Sequence, residues 1–479
     1  MTKKRTASPD GAQSRFAMPL PAKHRFAKPS FAKPSFAKSP CAKSPFAEPR
    51  FAEPPFARPS FVRSTGRRIV VGLALAGLFV VPLAGGARAD APAAPDSVAA
   101  APDARGRGTL VDVVDLRTVS AAEAARALAD DGWDAGAIHD DVVLRRLVYR
   151  TVDAHGRPTT ATGLLALPVH GERRLRVVSY THGTELYRGD APSTSDETWG
   201  IAPALTYASA GFAVTMPDYL GQGEGPGPHP WMDIPSETTA SLDLLRAARE
   251  FVGRHGHTTA REVYVSGFSQ GASAALGLAR ALQSGADPWF RVGAIAPIGG
   301  AYDFGGVQLP ALLGGQLADK PSVLYSALLL VAYNRLHHIY DSPADVFQSL
   351  YADTIEGLLD GSHRDDEILK ATPNSVDELL TEGGRALLTR PTGALAAALR
   401  ETDAVCTDWR PRVPVRLYAA AGDDEVAPAN TAHCLAAMRA KGMDVRVTRF
   451  GADVDHAGSN RLGTAAALRW FRELAGRAG

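Results

Sequence analysis

The sequence predicts an α/β fold: a mostly parallel central sheet flanked by helices, opened by an antiparallel hairpin and interrupted late by a helical cap. Three observations predict it. Short apolar runs alternate with helical patterns over residues 175–298 and again from 413 onward. The runs are continuous in apolar residues, as expected of strands covered by helices on both sheet faces. Between the two stretches, residues 303–405 carry a helical pattern with no convincing strand, and an insertion of that length between strands of one sheet reads as a cap.

Taken in order, residues 1–66 are not domain material. From Phe26 a five-residue unit repeats as FAKPS, FAKPS, FAKSP, CAKSP, FAEPR, FAEPP and FARPS. Proline in nearly every unit lacks the N–H that a helix or a ladder needs. The segment reads as a disordered low-complexity leader or as a start codon placed too far upstream, with an interaction stalk as the sharper alternative. Residues 67–89 follow the order of a signal peptide: Arg67 and Arg68, an apolar stretch from Ile69 to about Leu83, and Ala87-Arg88-Ala89 before Asp90. Export is the expectation. The apolar stretch is short for a permanent span, so a signal anchor is the lesser alternative; the Arg pair does not choose between export routes.

Charge divides the same way. The chain is +1 overall, but its basic residues crowd the leader and leave a mildly acidic body. That balance argues against nucleic-acid binding by the folded part, 90–479. Cys406 and Cys434 are the two cysteines of this part. In an oxidising compartment they suggest a disulfide worth about 3 kcal/mol on the entropic model, the alternative being two unpaired buried thiols.

Within the body, 142–168 reads as a hairpin turning at Asp153-Ala-His-Gly156. Strand-like runs follow at 175–180, 212–216, 263–266, 293–298, 413–419 and 444–449. A helix over 236–252 places Ala240, Leu244, Ala247 and Phe251 on one face, and a final helix covers 460–476. In the cap, the apolar segment 323–333 is too short to cross a membrane. It is either cap core or the wall of a pocket for an apolar substrate.

Chemistry concentrates at VYVSGFSQGASAALGLA, residues 263–279. A Gly-x-Ser-x-Gly match alone is weak, but here an apolar run turns sharply into an alanine-rich helix at Ser269, which lifts a serine hydroxyl above the sheet edge. Gly267 and Gly271 relieve the crowding of that turn. Gln270 opens the helix, and its backbone N–H is aimed where an oxyanion would form. A serine hydroxyl needs a general base and an orienting acid, which in this arrangement follow after late strands. Strand 413–419 precedes AAGDDEVAPAN, and strand 444–449 precedes GADVDHAGSN. His456, between the last strand and the last helix, is the expected base. Asp424 is the expected acid, because Asp-Glu-Val-Ala-Pro resembles the Asp-x-x-Val-Pro turn common after this strand in α/β-hydrolases; Asp423 is the alternative. The second oxyanion donor should lie in Tyr180-Thr181-His182-Gly183-Thr184, where Gly183 allows close approach and the Thr184 N–H donates. His182 is expected to shape that loop. His255, His257, His337 and His338 lack a clustered third ligand, so no metal is implied, and no organic cofactor either.

SYTHGT (179–184), PDYLGQGEGPGPHPW (217–231), SGFSQGASAA (266–275), AAGDDEVAP (420–428) and DHAGS (455–459) together resemble secreted bacterial esterases and lipases related to fungal secretory lipases of the Candida lipase A kind. The resemblance spans most of 142–479. It implies an α/β-hydrolase fold with a helical lid, a serine carboxylester hydrolase acting on a small-molecule or lipid ester, and pairing of Cys406 with Cys434 around the acid loop. It leaves open transient contact of the cap with a lipid interface. Gly221-Gln-Gly223 and Glu224 depart from the family's usual Gly-Leu-Gly followed by a small residue, which bears on pocket polarity. An amide or peptide hydrolase using the same triad, and a non-catalytic binding module on this fold, are the rival readings.

Overall fold

The computed structural model describes residues 106–477, so the repeat leader 1–66 and the signal 67–89 lie outside the described residues. Nine strands form one sheet: β1 (Leu110–Val119), β2 (Val142–Val152), β3 (Pro158–Pro168), β4 (Arg174–Thr181), β5 (Phe212–Pro217), β6 (Thr258–Phe268), β7 (Arg291–Ile298), β8 (Arg416–Ala420) and β9 (Arg446–Phe450). Their spatial order is β1-β2-β3-β5-β4-β6-β7-β8-β9. The pairs from β1 to β5 are antiparallel and all others parallel. The hairpin runs in unbroken register from Val142↔Pro168 to Val152↔Pro158. β1 is an addition to the sequence reading. β8 begins later than expected, at Arg416, because Pro414 has no N–H to give a ladder.

Successive residues along a strand face opposite sides, and the sheet uses this to pack helices on both. Val178 and Tyr264 point to a core shared with α1 (Ala121–Asp130), α2 (Thr198–Ala208) and α15 (His456–Arg477). Val177, Val263 and Val265 point to the other, shared with α3 (Ile234–Arg254), α4 (Gln270–Gln283) and α14 (Ala429–Ala440). α3 buries the predicted stripe Ala240, Leu244, Ala247 and Phe251. It is capped by Asp233, whose carboxylate accepts from Ser236 N at 3.0 Å.

Between β7 and β8 the chain is helical. A π turn at Phe304–Gln308 leads into α5 (Leu309–Leu313) and α6 (Asp319–His337). The short helices α7–α13 follow between Pro343 and Thr402, and a 3-10 turn at Asp403–Cys406 ends the insertion. One isolated bridge, Phe347↔Leu380, is its only strand-like pairing among the described residues. The insertion has its own core, in which Val323, Leu329, Leu330, Phe347 and Leu388 pack with Trp231 and Met232 from the segment before α3. Segment 323–333 is therefore mainly cap core; Tyr325 is its one residue at the cleft described below. Among the described residues, no helix is long and apolar enough to cross a membrane.

Candidate active site

Ser269 stands between β6 and α4 at φ 56° and ψ −122°. A non-glycine residue at positive φ is strained and persists only where its surroundings over-determine it. Here the surroundings are backbone. Ser269 N donates to Ile298 O at 3.0 Å, and Ser269 O accepts from Ala272 N at 3.0 Å. A Cβ on Gly271 would lie 2.1 Å from Thr181 O, and one on Gly267 would lie 2.3 Å from Gly271 O. Both glycines are required because the turn presses directly on the end of β4.

The final helix starts at His456 itself, earlier than the 460 expected from sequence. His456 Nε2 lies 2.9 Å from Ser269 Oγ, and His456 Nδ1 lies 2.9 Å from Asp423 Oδ2. A carboxylate can only accept, so Nδ1 carries the hydrogen and Nε2 accepts from the serine hydroxyl. The expected Asp424 is a correction. Asp423 is buried, and its Oδ1 accepts from Val426 N at 2.8 Å and Glu425 N at 3.2 Å, which turns Oδ2 toward the imidazole. Asp424 is exposed, and its backbone carbonyl instead accepts from Ala318 N at the start of the α6 segment. Burial alone would lower the His456 pKa, but the hydrogen bond and charge of Asp423 outweigh it and raise the value above 6.5. The Phe268 ring lies 4.5 Å from the imidazole and shields it on one face.

Thr184 and Gln270 lie side by side: Thr184 Oγ1 donates to Gln270 Oε1 at 3.2 Å. The Gln270 N–H is in the first turn of α4, where helix geometry leaves it without an intrahelical acceptor. A Cβ on Gly183 would lie 3.4 Å from Ser269 Cβ and 3.0 Å from the Phe268 ring. The loop therefore packs tightly on the serine. His182 is buried, and its Nδ1 donates to Gly183 O at 2.7 Å; burial lowers its pKa to about 4, so it is a neutral loop-holding group.

Ser269 and His456 open onto a cleft of about 290 Å³. Its wall includes Thr184 and Trp199, with Tyr325 from the cap, and is rich in carboxyl groups: Glu185, Asp190, Glu197, Asp365 and Glu425. Burial, then the charges of Asp365, Asp190 and Glu197, raise the Glu185 pKa well above the usual range. The departures noted in sequence do not form this wall. Gln222 is buried and donates to Glu185 O at 3.0 Å, while Glu224 is exposed and pairs with Arg146 at 2.9 Å. The carboxyl groups come from distant loops and the cap, and no local pattern marks them. Cys406 and Cys434 are joined by a disulfide. His255 donates to Phe251 O at 2.8 Å and His338 pairs with Asp341, both away from the cleft.

A mostly parallel sheet with a strained serine above its edge, and a histidine and an aspartate after the last two strands, defines an α/β-hydrolase. Residues 190–477 match the model of the secretory lipase family. The chain belongs to that family and is a carboxylester hydrolase. No curated protein matches it. Among solved structures it is similar to a protein of Legionella pneumophila, at 25% identity and a TM-score of 0.70, over 76% of this chain and 98% of the other. It is also similar to the rice cell wall degrading esterase LipA from Xanthomonas oryzae, at 24% identity and a TM-score of 0.65, over 77% and 98% of the two chains. With Candida antarctica lipase A in its closed state the identity is 15% and the TM-score 0.55, over 77% and 82%. The last two likenesses are likenesses of fold.

Proposed function

We propose that the chain is an exported serine esterase working through an acyl-enzyme on Ser269. The observation that carries the reading is the relay of two 2.9 Å contacts from Ser269 Oγ through His456 to Asp423. Ser269 Oγ attacks the ester carbonyl carbon while His456 Nε2 takes its proton, and Asp423 holds the imidazole in the tautomer that can accept it. The carbonyl oxygen becomes an oxyanion, which the Gln270 and Thr184 backbone N–H groups stabilise. The intermediate collapses, and the leaving alkoxide takes the proton from His456. Water then attacks the acyl carbon, gives its proton to His456, and releases the acid with Ser269 restored.

The polar wall favours esters with neutral, hydrogen-bonding groups beside the scissile bond. Apolar cap residues are mostly spent on the cap's own core. Export is supported by family membership, by the disulfide, and by the signal-like segment 67–89, which lies outside the described residues.

Turnover of p-nitrophenyl esters tests the reading. Ser269→Ala is expected to reduce kcat by at least about 10³-fold with the fold intact by circular dichroism. Retained turnover in that variant would remove Ser269 as nucleophile.

A further inference from the structure

Behind the serine, a chain of hydrogen bonds joins the two residues read as oxyanion donors and ends on a carboxyl group that acyl transfer never uses. Trp231 Nε1 donates to Thr184 Oγ1 at 2.9 Å, and Thr184 Oγ1 donates to Gln270 Oε1 at 3.2 Å. The Gln270 amide donates to Glu237 Oε1 at 2.7 Å and to His229 Nε2 at 3.1 Å. His229 can accept because its Nδ1 donates to Leu220 O at 3.0 Å, and burial lowers its pKa to about 4.

The chain runs in one sense only. An indole N–H can only donate, so the Thr184 hydroxyl passes its own hydrogen to Gln270 Oε1. That contact fixes which way the Gln270 amide points, and the amide nitrogen then needs acceptors on its far side. Glu237 supplies one. Trp231, Gln270 and Glu237 are each at most 3% exposed, so bulk water does not compete for the Gln270–Glu237 bond, while half-buried Thr184 faces the cleft. Glu237 lies in the first turn of α3 and does not line the cleft.

We propose that Glu237 is a positioning residue for oxyanion stabilisation: by holding the Gln270 amide it fixes the spacing of the Gln270 and Thr184 backbones. The proposal rests on the reading of Ser269 as nucleophile and of those two N–H groups as donors. Burial pushes the Glu237 carboxyl up to about 8, so at neutral pH it accepts without placing a negative charge behind the developing oxyanion. A residue that only filled space there would affect folding and leave the chemical step alone.

The test compares the full chain with Glu237→Ala, Glu237→Gln and Thr184→Val. It uses p-nitrophenyl butyrate kinetics and inhibition by an alkyl trifluoromethyl ketone, whose serine adduct is tetrahedral and carries the oxyanion. Glu237→Ala is expected to lower kcat about tenfold or more with KM within about twofold, and to weaken the ketone by a similar factor. Glu237→Gln keeps an acceptor oxygen and is expected to restore most of both. Thr184→Val deletes the hydroxyl link while keeping the backbone N–H, and is expected to show the same kcat-only loss. It carries the test if Glu237→Ala does not fold. A kcat and ketone affinity within twofold of wild type in Glu237→Ala, or in Thr184→Val in its place, would overturn the proposal. Undiminished turnover in Ser269→Ala would instead overturn the nucleophile reading, and that outcome is seen separately.

Discussion

Asp423 and Asp424 are chemically identical neighbours, and one turn of backbone separates their environments. The Asp423 carboxylate closes an Asx-type turn on Glu425 and Val426, which immobilises one oxygen and aims the other at His456. Asp424 faces solvent. Asp423→Asn is therefore expected to lower kcat by about 10³- to 10⁴-fold, because an amide in place of the carboxylate favours the wrong imidazole tautomer. Asp424→Asn should stay within about threefold, since an exposed charge outside the relay does not set the tautomer. The pH profile separates them as well. Turnover needs neutral His456, and Asp423 raises its pKa, so wild-type kcat/KM should fall on acidification through a value above 6.5. In Asp423→Asn that limb should move to lower pH; an unmoved limb would assign the titration to another group. Glu237 titrates in the stability of the fold instead. Its folded pKa, about 8, lies above the ordinary 4.5, so the folded state favours the protonated form. The resulting stabilisation is present below 4.5 and lost as the pH rises toward 8. Glu237→Gln, which cannot ionise, is expected to melt progressively higher relative to wild type across that window, as differential scanning calorimetry at several pH values would read.

At the scale of elements, the strand–serine–helix turn works because two chain segments touch without side chains between them. Gly271→Ala would drive a methyl group into the Thr181 carbonyl, 2.1 Å from where it must sit. Backbone cannot yield as a flexible side chain does, so this change should cost about 3 kcal/mol or more and be visible in a urea titration of the folded variant. Much of this element was legible in sequence because its constraints are local: an apolar run, a serine flanked by glycines, and a helix former directly after. The order of Ser269, an aspartate and His456 along the chain was also legible, each just after a strand, and the structure brings the three side chains together. β1 was not, since Asp112, Asp115 and Arg117 interrupt its pattern and the strand lies exposed at the sheet edge. The aspartate that meets His456 lies one position before the expected Asp424, a choice that rests on matching the turn to Pro428. The informative spacing is from Asp423 to Val426, the residue whose N–H its carboxylate accepts. Nor could sequence reveal that Asp365 and Tyr325 reach the cleft from the cap, because only tertiary packing brings them beside Glu185 and Glu425.

Over the whole molecule, the cap is tied to the hydrolase body at both ends of its path. Near its start, Ala318 N donates to Asp424 O at 2.8 Å, and within α6 Tyr325 donates to Glu425. At its end, Cys406 is bonded to Cys434 in α14, and both sulfurs sit in the core that α4 and β7 share. The bridge closes a loop of 28 residues that contains the acid strand β8 and the Asp423 turn. On the chain-entropy model such a loop stabilises by about 3 kcal/mol, almost entirely by restricting the unfolded chain. The folded cleft should then hardly register its loss. The double substitution Cys406→Ala/Cys434→Ala is expected to lower the melting temperature by several degrees, yet leave kcat for a p-nitrophenyl ester within about twofold below the transition. Reduction of the wild type should move its melting curve toward that of the variant and leave the variant unaffected. If the variant instead loses kcat while its melting temperature holds, the bridge shapes the acid loop in the folded state, and the entropic account is wrong.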